Sequence, residues 1–272
     1  QAAADSNVSL LRTLSKSALQ QVDVEGKQAI VWAAQKGHLA ALRYLFSSGL
    51  DPCQKAKDAT NVLHWAAAHG HADVVKYLLA HGCEDNIDGT DRSGQSPLMW
   101  AAKYGQSDCM RHLLTSRASL KRVDGKGASS LHWAARYGHD AALRLLLSAG
   151  AETSVKAADG AQPLHWAAKH GEAIAGQDLL ARRAAADALA TDGTTPLHWA
   201  AKYGQAATVR QLAKEFPKTL KSRDRNGVQP IGWAARFGHA VAVKLLVRLR
   251  ADLHSDDSSS RHASRQPDAI HW

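Results

Sequence analysis

Tryptophan recurs at positions 32, 65, 100, 133, 166, 199 and 233, separated each time by 33 to 35 residues. A period of that length means stacked units, because one unit of this size cannot bury its apolar face alone. The flanking words agree. Leu63-His64-Trp65-Ala66-Ala67 returns as Leu131-His132-Trp133-Ala134-Ala135, Leu164-His165-Trp166-Ala167-Ala168 and Leu197-His198-Trp199-Ala200-Ala201. Three residues after the second alanine stands a glycine: Gly37, Gly70, Gly105, Gly138, Gly171, Gly204 and Gly238. An aliphatic set such as Val74, Val75, Leu78 and Leu79 follows at i, i+3, i+4 spacing, which predicts a second helix.

Each unit has readable punctuation. Pro97, Pro163, Pro196 and Pro230 sit where a first helix should begin, since proline there has its φ preset and no donor to lose. The glycine should stop that helix in a left-handed cap. Paired alanines let the next helix approach closely. The Asp-x-x-Gly segments at Asp91 to Gly94 and Asp224 to Gly227 predict the connecting turns.

Composition narrows the class further. With 45% hydrophobic residues over 272, the chain holds enough apolar surface to offset ordering entropy, which excludes a disordered protein. No stretch approaches the roughly 18 apolar residues of a spanning helix. The first 22 residues show no continuous apolar core, so no secretory signal is expected. Three cysteines, Cys53, Cys83 and Cys109, suit a reducing interior, and the sequon at Asn7 reads as chance. An intracellular place is expected, cytoplasmic by default, with a mitochondrion or plastid left open. The net charge of +9 favours anionic partners.

These words resemble the ankyrin repeat family, whose pattern is a turn with Asp and Gly, Thr-Pro-Leu-His, two alanines, Gly-His and an aliphatic helix. The sixth unit matches most fully, with Asp192-Gly193-Thr194-Thr195-Pro196-Leu197-His198. The resemblance implies an all-α solenoid of stacked helix-turn-helix units joined by short turn or hairpin loops. Residues 1–22 are expected to form a capping helix or the end of a preceding repeat, and 23–254 seven repeats. Residues 255–272 are expected to form a serine-rich loop and the start of a truncated eighth repeat at Ala269-Ile270-His271-Trp272. The histidine slot holds Val31, Met99 and Gly232 in repeats one, three and seven, which should lose local hydrogen bonds there.

No phosphate loop, nucleophile elbow or H-E-x-x-H motif occurs, so no enzyme and no cofactor are expected. Nine of the fifteen histidines fall in two slots that the resemblance makes structural: His64, His132, His165, His198 and His271, then His38, His71, His139 and His239. His69 and His71 could form half of a metal site, but no third ligand stands at a suitable spacing, so no metal is expected.

The looser slots of the first helix carry the functional expectation, because in the family they face the concave groove. The slot after histidine is tryptophan throughout, and Trp65, Trp100, Trp133, Trp166, Trp199 and Trp233 are the partner-binding candidates there. Three residues on stand Lys103, Arg136, Lys169, Lys202 and Arg236, and four residues on Tyr104, Tyr137, His170, Tyr203 and Phe237. Over all seven repeats these last two slots hold six basic residues and no acidic one, where the chain average gives about two basic. The rival reading is that each tryptophan only packs against the next unit, with the cation lying over its ring.

The leading expectation is therefore a non-enzymatic protein-binding scaffold or adaptor. It would take an acidic or extended partner segment in a basic, tryptophan-lined groove, as a subunit of a larger assembly. The wording around the tryptophan also resembles the ankyrin domain of the Asp-His-His-Cys palmitoyltransferases. A recruiting domain of such an enzyme, or of a ubiquitin ligase, is one alternative. Nucleic acid, in an RNA-rich particle, is another.

Overall fold

A computed structural model describes residues 2–5, 7–51 and 55–249. The serine-rich segment, His271, Trp272 and Cys53 lie outside the described residues. All regular elements within them are helical. Two short N-terminal helices, α1 (Val8–Thr13) and α2 (Lys16–Leu19), precede the repeats. The repeats then supply α3 (Ala29–Gln35) with α4 (Leu39–Ser47), α5 (Val62–Ala68) with α6 (Ala72–Ala80), and α7 (Pro97–Lys103) with α8 (Ser107–Thr115). They continue as α9 (Ser130–Arg136) with α10 (Asp140–Ser148), α11 (Pro163–His170) with α12 (Ala173–Ala181), and α13 (Pro196–Lys202) with α14 (Ala206–Glu215). The seventh pair is α15 (Pro230–Arg236) with α16 (240–249).

First helices stack in one row from α3 to α15, and second helices in another from α4 to α14. The first row meets through alanines: both members of the pair are fully buried in repeats one to six. The second row meets through bulkier Leu and Val, such as Leu143 and Leu146. The thinner contact lets first helices approach closely. Helix α1 packs on α4, and His38 donates from Nε2 to the Ala4 carbonyl at 2.8 Å. Asn7 serves as the N-cap of α1.

Punctuation behaves as its chemistry requires. Proline occupies the first turn of α7, α11, α13 and α15. The glycine after each first helix is left-handed; Gly138 has φ 63°, and a Cβ there would overlap the Glu172 carboxylate. Turns Asp91 to Gly94 and Asp224 to Gly227 close by backbone bonds of 3.0 and 2.9 Å. Successive turns are tied by backbone bonds, as from Gly125 to Ser93, Ala158 to Lys126 and Arg225 to Asp192.

In repeats two, four, five and six the first histidine slot joins one repeat to the next. His165 accepts from the Gln162 backbone N–H on Nδ1 at 3.1 Å and donates from Nε2 to the Thr194 carbonyl at 3.2 Å. His132 and His198 do the same, with Nε2 bonds of 3.1 Å to Ala161 and 3.0 Å to Val228. Met99, in the same slot, is buried but cannot bridge, so repeat three keeps only the Ser96 cap at 3.4 Å. Burial pushes the pKa of His64, His132, His165 and His198 down, to about 4 for His165, so these rings are neutral near pH 7.

Candidate partner-binding face

The first-helix row brings the candidate residues together in a repeating order. Each tryptophan lies half-buried on its helix, with Trp133 buried. Tyr104, Tyr137, Tyr203 and Phe237 stand 40 to 48% exposed at the helix ends. Trp133 stacks on Tyr137 and Trp233 on Phe237, while Trp65 meets Trp100, and Trp133 meets Trp166, edge to face at 5.4 and 5.5 Å.

Indole N–H groups reach back to the turn of their own repeat. Trp32, Trp100, Trp133 and Trp233 donate to the carboxylates of Asp23, Asp91, Asp124 and Asp224, nine residues earlier, at 2.9 to 3.1 Å. Alanine replaces that aspartate in repeats two and six, at Ala56 and Ala190. There the acceptor is a threonine hydroxyl five residues earlier: Thr60 takes the Trp65 N–H at 2.9 Å and Thr194 that of Trp199 at 2.7 Å. Anchored in this way, the tryptophans present ring faces and edges rather than N–H groups. The rings also pack between units, as Trp65 does on Trp100 and Trp133 on Trp166.

Cations reach forward rather than over their own tryptophan alone. Lys103 lies over the Trp133 ring at 5.3 Å, Arg136 over Trp166 at 5.6 Å, Lys169 over Trp199 at 5.7 Å and Lys202 over Trp233 at 4.9 Å. Each contact of this kind contributes about 0.5–1 kcal/mol where exposed. Arg236 is exposed at the end of α15. Among the described residues, none of these five cations has a carboxylate within ion-pair distance. His170 sits beside two of them, and burial, then Arg136 and Lys169, hold its pKa below the usual histidine range.

The row begins with a residue that sequence reasoning passed over. Lys27 comes from a turn, not a helix, yet its ammonium lies 3.8 Å from the Trp65 ring centroid and 5.1 Å from that of Trp32. It is buried and paired with Glu25 at 2.6 Å, so it carries no free charge to a partner.

The second histidine slot also bridges units. His71, His139 and His239 donate to the carbonyls of Gln35, Lys103 and Lys202, and Gln106 and Gln205 replace them toward Ala68 and Lys169. Repeat five breaks the rule with Glu172, and no side chain among the described residues donates to the Arg136 carbonyl. Burial and Asp140 hold the Glu172 carboxyl above the usual carboxylate range.

No group of three or more metal-binding side chains gathers among the described residues. Cys109 is fully buried, and burial pushes its thiol up to about 12. No helix among the described residues is long and apolar enough to cross a membrane.

Comparison with known proteins agrees with this architecture. The family model for ankyrin repeats (three copies) matches residues 30–124, 63–157, 117–184 and 164–257. The chain therefore belongs to the ankyrin repeat family, whose repeats form protein–protein interaction domains. The human ASB11 ankyrin repeat domain, a crystal structure, superimposes with a TM-score of 0.72 at 25% identity, over 82% of this chain and 98% of that one. No curated protein matches the chain in sequence.

Proposed function

We propose that the first-helix face grips an acidic or extended segment of a partner protein, and that the chain acts through this grip, without chemistry of its own, as a subunit of a larger assembly. The observation that carries this reading is the regular alternation of cation and indole along the first-helix row. On the first helices, Lys103, Arg136, Lys169 and Lys202 lie over aromatic rings with no carboxylate partner. Unpaired cations at a regular pitch steer an anionic segment in, and half-buried indoles give it apolar anchors.

The test is charge reversal. Changing Arg136, Lys169 and Lys202 together to Glu should abolish capture of the partner from cell extract, while circular dichroism and the melting temperature stay near those of the parent. Unaltered capture by the folded triple variant would place the binding surface elsewhere, for instance on the turn tips around Arg92, Lys126 and Arg225.

A further inference from the structure

The junction of repeats four and five lacks an acceptor that every other repeat possesses. Trp166 has Ala157 where four repeats place the aspartate that takes the indole N–H, and Ala161 where two others place the threonine. Its N–H has no acceptor among the described residues, and it is not among the buried atoms sealed without a partner. Above the same ring lies Arg136, the one arginine among the cations seated over a following indole. Its guanidinium carbon is 5.3 Å from the Tyr137 centroid, 5.5 Å from Trp133 and 5.6 Å from Trp166. No carboxylate among the described residues reaches it. His170 and Lys169 stand close by, and His170 makes no hydrogen bond to the described residues.

An indole N–H and a guanidinium that both lack an oxygen, in a patch with a second cation, ask for one chemical group. A carboxylate accepts from an indole N–H, as Asp124 does from Trp133 with Lys103 over that ring, and the guanidinium over Trp166 favours its charge; hydrogen bonds to a charged acceptor are the stronger kind. A neutral amide offers one oxygen and no charge. We propose that the junction of repeats four and five anchors a single Asp or Glu side chain of the partner segment, which supplies from outside the carboxylate that four other repeats carry within. This rests on the reading of the first-helix face as the binding surface, and it locates the strongest point of that surface.

The experiment uses a fluorescent, unstructured peptide with an acidic run, in versions with Glu, Gln or phosphoserine at its centre, and fluorescence anisotropy at fixed salt. Ala157→Asp gives Trp166 an internal acceptor of the kind Trp133 has, and Ala161→Thr gives it the kind Trp65 has. Both substitutions install residues that other repeats hold in the same slots, and an unlowered melting temperature shows that each is accommodated. Each should weaken the Glu peptide about tenfold, and the Gln peptide should bind the parent equally weakly. In the parent, the Trp166 indole N–H resonance should shift most among the tryptophans as the Glu peptide is added.

Binding that falls on Lys103→Glu with Lys202→Glu, yet ignores both Ala157→Asp and Ala161→Thr, would overturn the anchor and leave the wider reading standing. Binding that ignores all four would overturn both. A phosphoserine peptide that binds tenfold tighter than the Glu peptide would overturn the carboxylate assignment in favour of phosphate.

Discussion

Acid should loosen this stack well before its carboxylates protonate, and His165 gives the size of the effect. The ring is fully buried, accepts from the Gln162 backbone on Nδ1 and spends its Nε2–H on the next repeat. A second proton would have to go on Nδ1, where the lone pair already holds a backbone N–H. Its pKa therefore falls from 6.5 to about 4, with burial the main cause. A histidine depressed in the fold contributes stability that is fully present above pH 6.5 and is lost as pH falls toward 4, because the unfolded chain takes up the proton first. From those two values the loss from His165 alone is about 2 kcal/mol by pH 5 and about 3 kcal/mol by pH 4. His64, His132 and His198 are shifted in the same direction and add to it. Glu172 works against it, since a carboxyl held above its usual range is relieved by acid. The assay is urea unfolding followed by circular dichroism at pH 7, 6 and 5, on the parent and on His165→Met, which copies the residue at this slot in repeat three. The variant should be less stable at pH 7 but should lose about 2 kcal/mol less than the parent on going to pH 5. An identical pH slope in parent and variant would refute the reasoning, because Glu172 and the other histidines are common to both.

Further outcomes follow from single positions. Gly138→Val, at φ 63° and facing Glu172, should destabilise the middle of the stack by at least about 2 kcal/mol in urea titration, and an unchanged midpoint would put the repeat register in error. Gly176→Ala should raise stability by about 0.5–1 kcal/mol, because this glycine lies inside α12 and an added Cβ meets only Leu164 at 3.9 Å. Cys109 should resist alkylation by iodoacetamide at pH 8 in the folded protein and react once urea unfolds it.

Helix starts, glycine caps and the identity of the basic and aromatic slots were all legible in the sequence, because each is decided within one period of the chain. What lay beyond reach was set across the boundary between periods. A lysine three residues after its own tryptophan can cover that ring or the next, and only packing decides that Lys103 goes to Trp133. Lys27 escaped because it occupies a turn slot filled elsewhere by Thr60, Gln95 or Ala128. The lone indole of Trp166 did leave a signal: alanine stands nine and five residues before it, where every other repeat offers aspartate at one place or threonine at the other. Comparing turns as closely as helices would have found it. The same comparison shows a second basic register on the outer helices, with Arg43, Lys76, Arg111, Arg144, Arg210 and Lys244 in one slot.

The forward reach of the cations gives the array a polarity that its sequence period conceals. One grip point consists of a charge from one repeat and an indole from its successor, as in Arg136 with Trp166. On the proposed reading of this face, the module a partner touches is thus offset from the sequence period. Exchanging one whole repeat by protein engineering would rewrite two neighbouring grip points at once, and a graft meant to move a single specificity must be cut between the tryptophan and the cation that follows it.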